Sequence, residues 1–93
     1  MKVEITQIWQ GQGTLLYKTD QSENTSVGIL NHHVKDVLYD LKAGQGTTEI
    51  AGRVTLRHTQ RGITLSDYQG RHLFLTREEI KEAIKLLEEV KEQ

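Results

Sequence analysis

Five side chains at alternating positions of one segment carry the clearest chemical signal in the sequence. Residues 52–62 read GRVTLRHTQRG, and every second position from 53 to 61 is Arg or Thr. These positions are Arg53, Thr55, Arg57, Thr59 and Arg61. A guanidinium group donates in a planar fork that fits phosphate oxygens and stacks on bases, and hydroxyl groups also bind phosphates. The pattern indicates a surface for a polyanion, and single-stranded nucleic acid is the ligand that we expect.

The charge distribution supports the same surface. The chain of 93 residues has a formal net charge of -1, but residues 51–77 hold five Arg and one Asp, a local charge of +4. Residues 1–50 sum to -2 and residues 78–93 to -3. The ordinary explanation for such a run is a solvated strand face, because the outward positions of strands are usually polar. The two interpretations differ in whether the arginines bind a ligand.

Single-strand binders combine a basic face with aromatic rings on which bases stack. The candidates are Trp9, which lies next to the turn of a predicted hairpin, Tyr17, Tyr68 and Phe74. We assign Trp9 to the site together with the Arg and Thr residues, and the alternative for its ring is to anchor the hairpin. Phe74 lies between two leucines in HLFL, so we expect its ring in the core.

Catalytic and metal-binding patterns do not accompany this surface. His32 and His33 are adjacent, whereas two zinc ligands on one helix normally stand three or four residues apart, and the chain has no Cys. The GQG at 11–13 lacks the following Lys and hydroxyl residue of a phosphate-binding loop. We therefore expect a binding protein that is not an enzyme, with no cofactor and no metal site.

Hydrophobic periodicity predicts the elements of the first half. Residues 3–9 and TLLYKT flank the GQG turn and predict a β-hairpin, and SVGIL predicts a third strand. Residues 31–43 change to helical spacing, with Asn31 as the expected cap and Gly44 as the stop. The apolar stripe of this helix is Val34, Val37, Leu38 and Leu41.

The second half predicts three strands followed by a helix. The strands are TTEIAGRVTLRHTQ, ITLSD and HLFL, separated by turns at Arg61-Gly62 and YQG. TREE predicts a capping box, because the Thr76 hydroxyl can accept from the Glu79 N–H while the Glu79 side chain reaches back. A helix over 77–91 follows, with the stripe Ile80, Ala83, Ile84 and Leu87. The fold class is α+β, an antiparallel sheet covered on one side by two helices.

The two halves are alike in pattern. Residues 5–16 match residues 54–65 without a gap at one Thr, one Gly and one Leu, and the two predicted helices share their apolar spacing. This indicates either a βββα duplication, with repeats 1–44 and 46–93, or a chance likeness between two amphipathic patterns.

Length and composition indicate one domain over 1–93. A hydrophobic content of 35% predicts a modest aliphatic core, and the absence of Cys fits a reducing compartment, so we expect a cytoplasmic protein. No apolar run is long enough for a signal peptide or a membrane span. The unpaired edges of a short sheet predict a homodimer, the commonest oligomer.

The order of hairpin, strand and helix, given twice, resembles the Pur and Whirly class of single-strand nucleic-acid-binding proteins. The likeness includes Gly-rich turns near GQGTLL and RGITL and the LTREEI entry into the last helix. It covers nearly the whole chain and rests on topology. The resemblance implies curved antiparallel sheets backed by helices, two repeats assembled as an intertwined pair, and basic and aromatic residues facing the bound strand. The basic turn of that class is matched here by Gln60-Arg61-Gly62.

A second class of function stays open. A small protein-binding inhibitor or adaptor, including a phage-encoded one, has the same composition, and its Arg face or Glu-rich helix would contact another protein. Phosphate-driven binding weakens steeply with salt, whereas a protein interface depends on a few anchor residues and one partner.

Overall fold

The computed structural model describes residues 2–19 and 25–91. Its elements are β1 (Val3–Ile8), β2 (Gly13–Lys18), β3 (Ser26–Leu30), α1 (Val34–Ala43), β4 (Thr47–Ile50), β5 (Val54–His58), β6 (Gly62–Asp67), β7 (His72–Thr76) and α2 (Arg77–Lys91). A short 3-10 helix over Asn31–His33 leads into α1. The α+β class and both predicted helices are confirmed. Within the described residues, neither helix has the length and apolar content that a membrane span requires.

The strands form two antiparallel sheets instead of the single predicted sheet. Sheet A has the order β1-β2-β3, and sheet B has the order β4-β5-β6-β7. The sheets meet at β3, where an isolated parallel bridge joins Thr25 to His72 and the Gly28 N–H donates to the Asp67 carboxylate. Because one bridge does not make a ladder, the two sheets stay distinct.

A tight turn divides the segment that the sequence predicted as one long strand. Ala51 and Gly52 have φ values of 54° and 68°, and the Arg53 N–H donates to the Ile50 carbonyl at 2.9 Å. Two consecutive positive φ values match the hairpin turn whose twist suits antiparallel strands, and Gly adopts them without steric cost. The second half therefore has four strands, and Arg53 lies in a turn.

The hydrophobic core lies between the inner faces of the sheets and the two helices. The alternation of sheet B buries Val54, Leu56, Ile63, Leu65, Leu73 and Leu75. The predicted stripe of α1 is entirely buried. In α2, Ala83 and Leu87 are buried, whereas Ile80 and Ile84 are half-buried against the core. A buried Val or Leu side chain stabilises the fold by about 1.5–3 kcal/mol relative to exposure, so this aliphatic cluster is the main stabilising term.

The predicted capping box begins α2. The Glu79 N–H donates to Thr76 Oγ1 at 3.3 Å, and the Thr76 N–H donates to Glu79 Oε1 at 2.9 Å. Lys18 Nζ lies 2.8 Å from the same carboxylate oxygen and joins β2 to the helix start. Burial alone would raise the pKa of Glu79, but the bonds from Lys18 and Thr76 outweigh burial and hold this pKa below its usual value.

Asn31 does not cap the first helix as predicted. The Asn31 side chain accepts from Thr14 Oγ1 at 2.8 Å and donates to the Gly11 carbonyl at 2.9 Å, so its polar atoms hold the β1–β2 turn instead. Gly44 ends α1 as predicted, and its N–H donates to the Asp40 carbonyl at 2.8 Å. A Cβ at Gly44 would lie 2.6 Å from Asp40 Cγ, so close approach favours Gly here.

A duplication is not shown by the fold. The first half has three antiparallel strands before its helix and the second half has four, and the β1–β2 and β5–β6 hairpins differ in register. Ile5 faces Leu16 in the first hairpin, and the gapless match would place Val54 opposite Leu65 in the second. Val54 instead faces Asp67, so the matched positions are not equivalent in the two sheets.

Candidate nucleic-acid interface

The outer face of sheet B is the side turned away from the core. Because Val54 and Leu56 point inward, Thr55 and Arg57 point outward. Cross-strand pairing arranges the outward residues in two rows. One row is Thr47, Arg57, Thr64 and Phe74, and the other is Glu49, Thr55, Ser66 and His72. These two rows define the outer face.

Four arginines stand exposed at the outer face or in the turns and helix that border it. Arg57 lies in β5, Arg53 in the turn before this strand and Arg61 in the turn after it. Arg77 opens α2, and its Nη2 donates to the Gln60 carbonyl at 3.1 Å. Within residues 2–19 and 25–91, none of the four forms an ion pair. Their charge is available to an anionic ligand.

Arg53 stacks on Tyr68 although it lies outside the strand. Its guanidinium carbon lies 4.9 Å from the centroid of the Tyr68 ring, which is 56% exposed. Val54 faces Asp67 across the β5–β6 ladder, so the residues just beyond this pair face each other. The cation–π contact holds the guanidinium over the ring, and bases stack on guanidinium planes as well as on aromatic rings.

Thr59 shapes the β5–β6 turn and does not continue the strand. Its Oγ1 donates to the Gly62 carbonyl at 3.2 Å and accepts from the Arg61 N–H at 3.3 Å. The predicted ladder of five residues therefore divides: Thr55 and Arg57 lie in β5, and the other three lie in turns. The sequence pattern missed this division because two hairpin turns interrupt the alternation within nine residues.

Phe74 is the aromatic residue of the outer face, and the prediction that placed its ring in the core is wrong. Leu73 and Leu75 point inward, so alternation turns Phe74 outward, where it is 37% exposed. Its cross-strand neighbour is the small Thr64. Lys18 Nζ lies 5.6 Å from the ring centroid. The alternation in HLFLT was the signal in the sequence that could have identified this position.

Trp9 lies on the other sheet, in the turn between β1 and β2. Its φ of 54° is positive, as is that of Gln10 at 56°. The half-buried indole lies against two glycines: a Cβ at Gly13 would collide with Trp9 Cε3, and one at Gly28 would lie 3.0 Å from Cη2. The Arg71 guanidinium carbon lies 5.9 Å from the indole centroid. The structure therefore places Trp9 beside Arg71 and not within the two rows of sheet B.

The histidines do not assemble a metal site in the part of the chain that the structure describes. His58 Nε2 lies 2.7 Å from Asp40 Oδ2, and this largely buried pair joins β5 to α1. His32 and His33 contact each other edge to face, with ring centroids 4.1 Å apart. No cluster of three or more His, Cys, Asp or Glu side chains suited to a metal ion occurs among the described residues.

No protein-family model, no curated protein and no solved structure matches this chain. The geometry and charge of the outer face are therefore the basis for a functional proposal.

Proposed function

We propose that this chain is a non-catalytic protein that binds single-stranded nucleic acid on the outer face of sheet B. The observation that carries the proposal is the presence, on one side of the sheet, of exposed arginines without ion pairs among the described residues and of two exposed rings, Phe74 and Tyr68. Glu49 is the single acidic residue in the two described rows. Arginines hold phosphates and rings stack on bases, so one surface supplies both kinds of contact.

A single strand fits this surface better than a duplex. The rings of Phe74 and Tyr68 can stack only on bases that are not already enclosed in a double helix. Between the two rings, the half-buried Thr64 and Ser66 supply hydroxyl groups for phosphate contacts. Residues 51–77 have a local charge of +4, although the whole chain has a net charge of -1. Binding of a polyanion therefore depends on this face and not on the charge of the whole chain.

Trp9 stays in the proposal as a contact from sheet A. Its half-buried indole has backbone glycines on one side and Arg71 nearby, an arrangement suited to stacking of one more base. The likeness to the Pur and Whirly class supports the same class of ligand. The composition without Cys favours the cytoplasm as the compartment.

The proposal is tested by replacing Arg53 and Arg57 together with Ala and measuring the fluorescence anisotropy of a labelled single-stranded oligonucleotide over a range of salt concentrations. Affinity should fall, and the slope of log affinity against log salt should flatten by roughly 0.7 for each phosphate that the variant no longer binds. Each exposed substitution should change the free energy of unfolding by less than about 0.5 kcal/mol. The matched control replaces two exposed helix lysines, Lys35 and Lys85, and should leave the slope unchanged.

Two further results complete this test. Replacing Trp9 with Ala should weaken binding with little change in the salt slope if the indole stacks on a base. A wild-type protein that ignores single-stranded DNA and RNA even at low salt would disprove the proposal. The outer face would then be a solvated surface or a contact for another protein, and the inhibitor or adaptor alternative would replace the nucleic-acid proposal.

We also propose that the chain forms a homodimer across the free edge of β1, the edge that pairs with no other strand among residues 2–19 and 25–91. Sheet A ends at β1, which has six residues, whereas the free edge of sheet B is the four-residue β4. The Thr19 N–H donates to the Lys2 carbonyl, so the even positions of β1 bond to β2 and the odd positions turn their N–H groups to the free edge. A second copy related by a twofold axis would pair with these groups.

A further inference from the structure

Two stacking positions stand on the same side of sheet B, separated along the strands. Phe74 occupies the middle of β7, with Thr64 as its partner on β6. Tyr68 follows the last residue of β6 and carries Arg53 on its ring. Phe74 is 37% exposed, with Lys18 Nζ over its ring, and Tyr68 is 56% exposed.

The strand geometry gives the separation of these positions. Thr64 and Tyr68 are four residues apart, which is about 13 Å at about 3.3 Å per residue. Phe74 lies one strand to the side, about 4.8 Å away. The Cα atoms of Phe74 and Tyr68 are therefore about 14 Å apart on a diagonal across β7 and β6. One nucleotide cannot stack on both rings at this distance.

The surface between the two positions carries small hydroxyl residues and one imidazole. The outward residues of β6 are Thr64 and Ser66, both half-buried, with Thr55 beside Ser66 on β5. His72, which is exposed opposite Ser66 on β7, borders the path on its other side. Arg57, opposite Thr64, and Arg53, opposite Tyr68, flank the path on the β5 side, where phosphates can lie.

We infer that the site takes a short single strand of about five nucleotides, held by two stacked bases at its ends: one on Phe74 and one on the Tyr68–Arg53 stack. This inference rests on the proposed function. At a rise of about 3.4 Å per nucleotide, about 14 Å corresponds to about four steps, and fewer when the bases are splayed apart. The ligand class is thus an oligonucleotide, and mononucleotides and dinucleotides bind weakly because they reach one ring only.

The test uses the full chain and oligothymidylates of two to ten nucleotides at low salt. The dissociation constant should fall with length up to about five nucleotides. For longer oligonucleotides, affinity should rise only in proportion to the number of positions along the strand at which the site can bind. In a pentamer, removal of one base at a time should weaken binding at two separated positions. Each decrease in affinity should be about 5- to 150-fold, the range that corresponds to stacking of one base.

Two variants connect these positions to the protein. Phe74→Ala should abolish the sensitivity to base removal at one end of the pentamer, and Tyr68→Ala should abolish it at the other. Tyr39, which is 73% exposed on α1, supplies the matched control, and Tyr39→Ala should change neither. Circular dichroism of each variant verifies that the fold is retained.

The outcomes separate the inference from the proposed function. If the decamer binds in a salt-dependent manner but affinity shows no rise near five nucleotides and base removal has no effect at two separate positions, the inference is wrong and the proposed function stands. If no oligonucleotide of any length binds at low salt, both are wrong.

Discussion

Asp67 and Gly28 form the hydrogen bond that joins the two sheets. Asp67 Oδ2 accepts from the Gly28 N–H at 2.9 Å and from Arg71 Nε at 2.7 Å. The other oxygen accepts from the N–H groups of Gln69 and Arg71, both at 3.0 Å. The Asp67 side chain is 0% exposed, so these four donors offset the cost of burying its charge. One carboxylate thus holds the β6–β7 turn against β3.

The variant Asp67→Asn should strongly destabilise the fold. An amide offers one accepting oxygen, and its NH₂ group would face donors such as Arg71, so buried donors would have no acceptor. Removal of one member of a buried charge pair costs about 3–5 kcal/mol, and we expect the free energy of unfolding in urea to fall by a similar amount. The exposed Asp36→Asn is the control and should change it by less than about 0.5 kcal/mol. Equal urea midpoints for the two variants would contradict this role.

Stability should decrease in acid because of two buried carboxylates. Burial alone would raise the pKa of Asp67, but the hydrogen bonds from Gly28 and Arg71 outweigh burial and hold this pKa below its usual value. The hydrogen bonds from Lys18 and Thr76 lower the pKa of Glu79 in the same way. A folded-state pKa below the unfolded one stabilises the fold above the unfolded pKa. This contribution should be complete above about pH 5 and disappear as the pH falls through the folded-state values. Melting temperatures measured from pH 7 to pH 2 should show this decrease, and a constant melting temperature would refute it.

Gly62 should tolerate Ala less well than Gly46 does. A Cβ at Gly62 would collide with the carbonyl oxygen of Leu75 on the neighbouring strand, whose backbone cannot move without breaking the β6–β7 ladder. Gly46 has a φ of +70° and no atom within 4 Å of such a Cβ, so Gly46→Ala costs only about 1–2 kcal/mol of backbone strain. We expect Gly62→Ala to cost about 2 kcal/mol more, measured by urea unfolding. If the two variants lost the same free energy of unfolding, the predicted collision with the Leu75 carbonyl would be contradicted.

The proposed dimer should be visible by light scattering at micromolar concentration. The expected mass is twice the 10.6 kDa of one chain. Gln7→Pro removes an N–H that faces the free edge of β1 and leaves the bonds to β2 in place, because proline is tolerated at sheet edges. This variant should be a folded monomer. A wild-type mass of 10.6 kDa at every concentration would exclude the dimer.

The sequence by itself determined the two helices, the capping box at Thr76 and the inward direction of Val54 and Leu56. Each depends on a period of two or 3.6 residues and on contacts between residues close in the chain. The outward direction of Arg57 follows from the same alternation. Local pattern therefore predicted which side chains face solvent in the middle of β5.

Tertiary structure alone decided which of these residues share a surface. Trp9 and Arg57 belong to different sheets, because strand pairing depends on contacts between distant parts of the chain. The Asp67–Gly28 hydrogen bond spans 39 positions, and no periodicity in the sequence signals it. Alternation turns Phe74 outward, but only the register of β6 and β7 places the small Thr64 beside it. Long-range pairing sets these relationships, since burial fixes the face of each strand but not its neighbour.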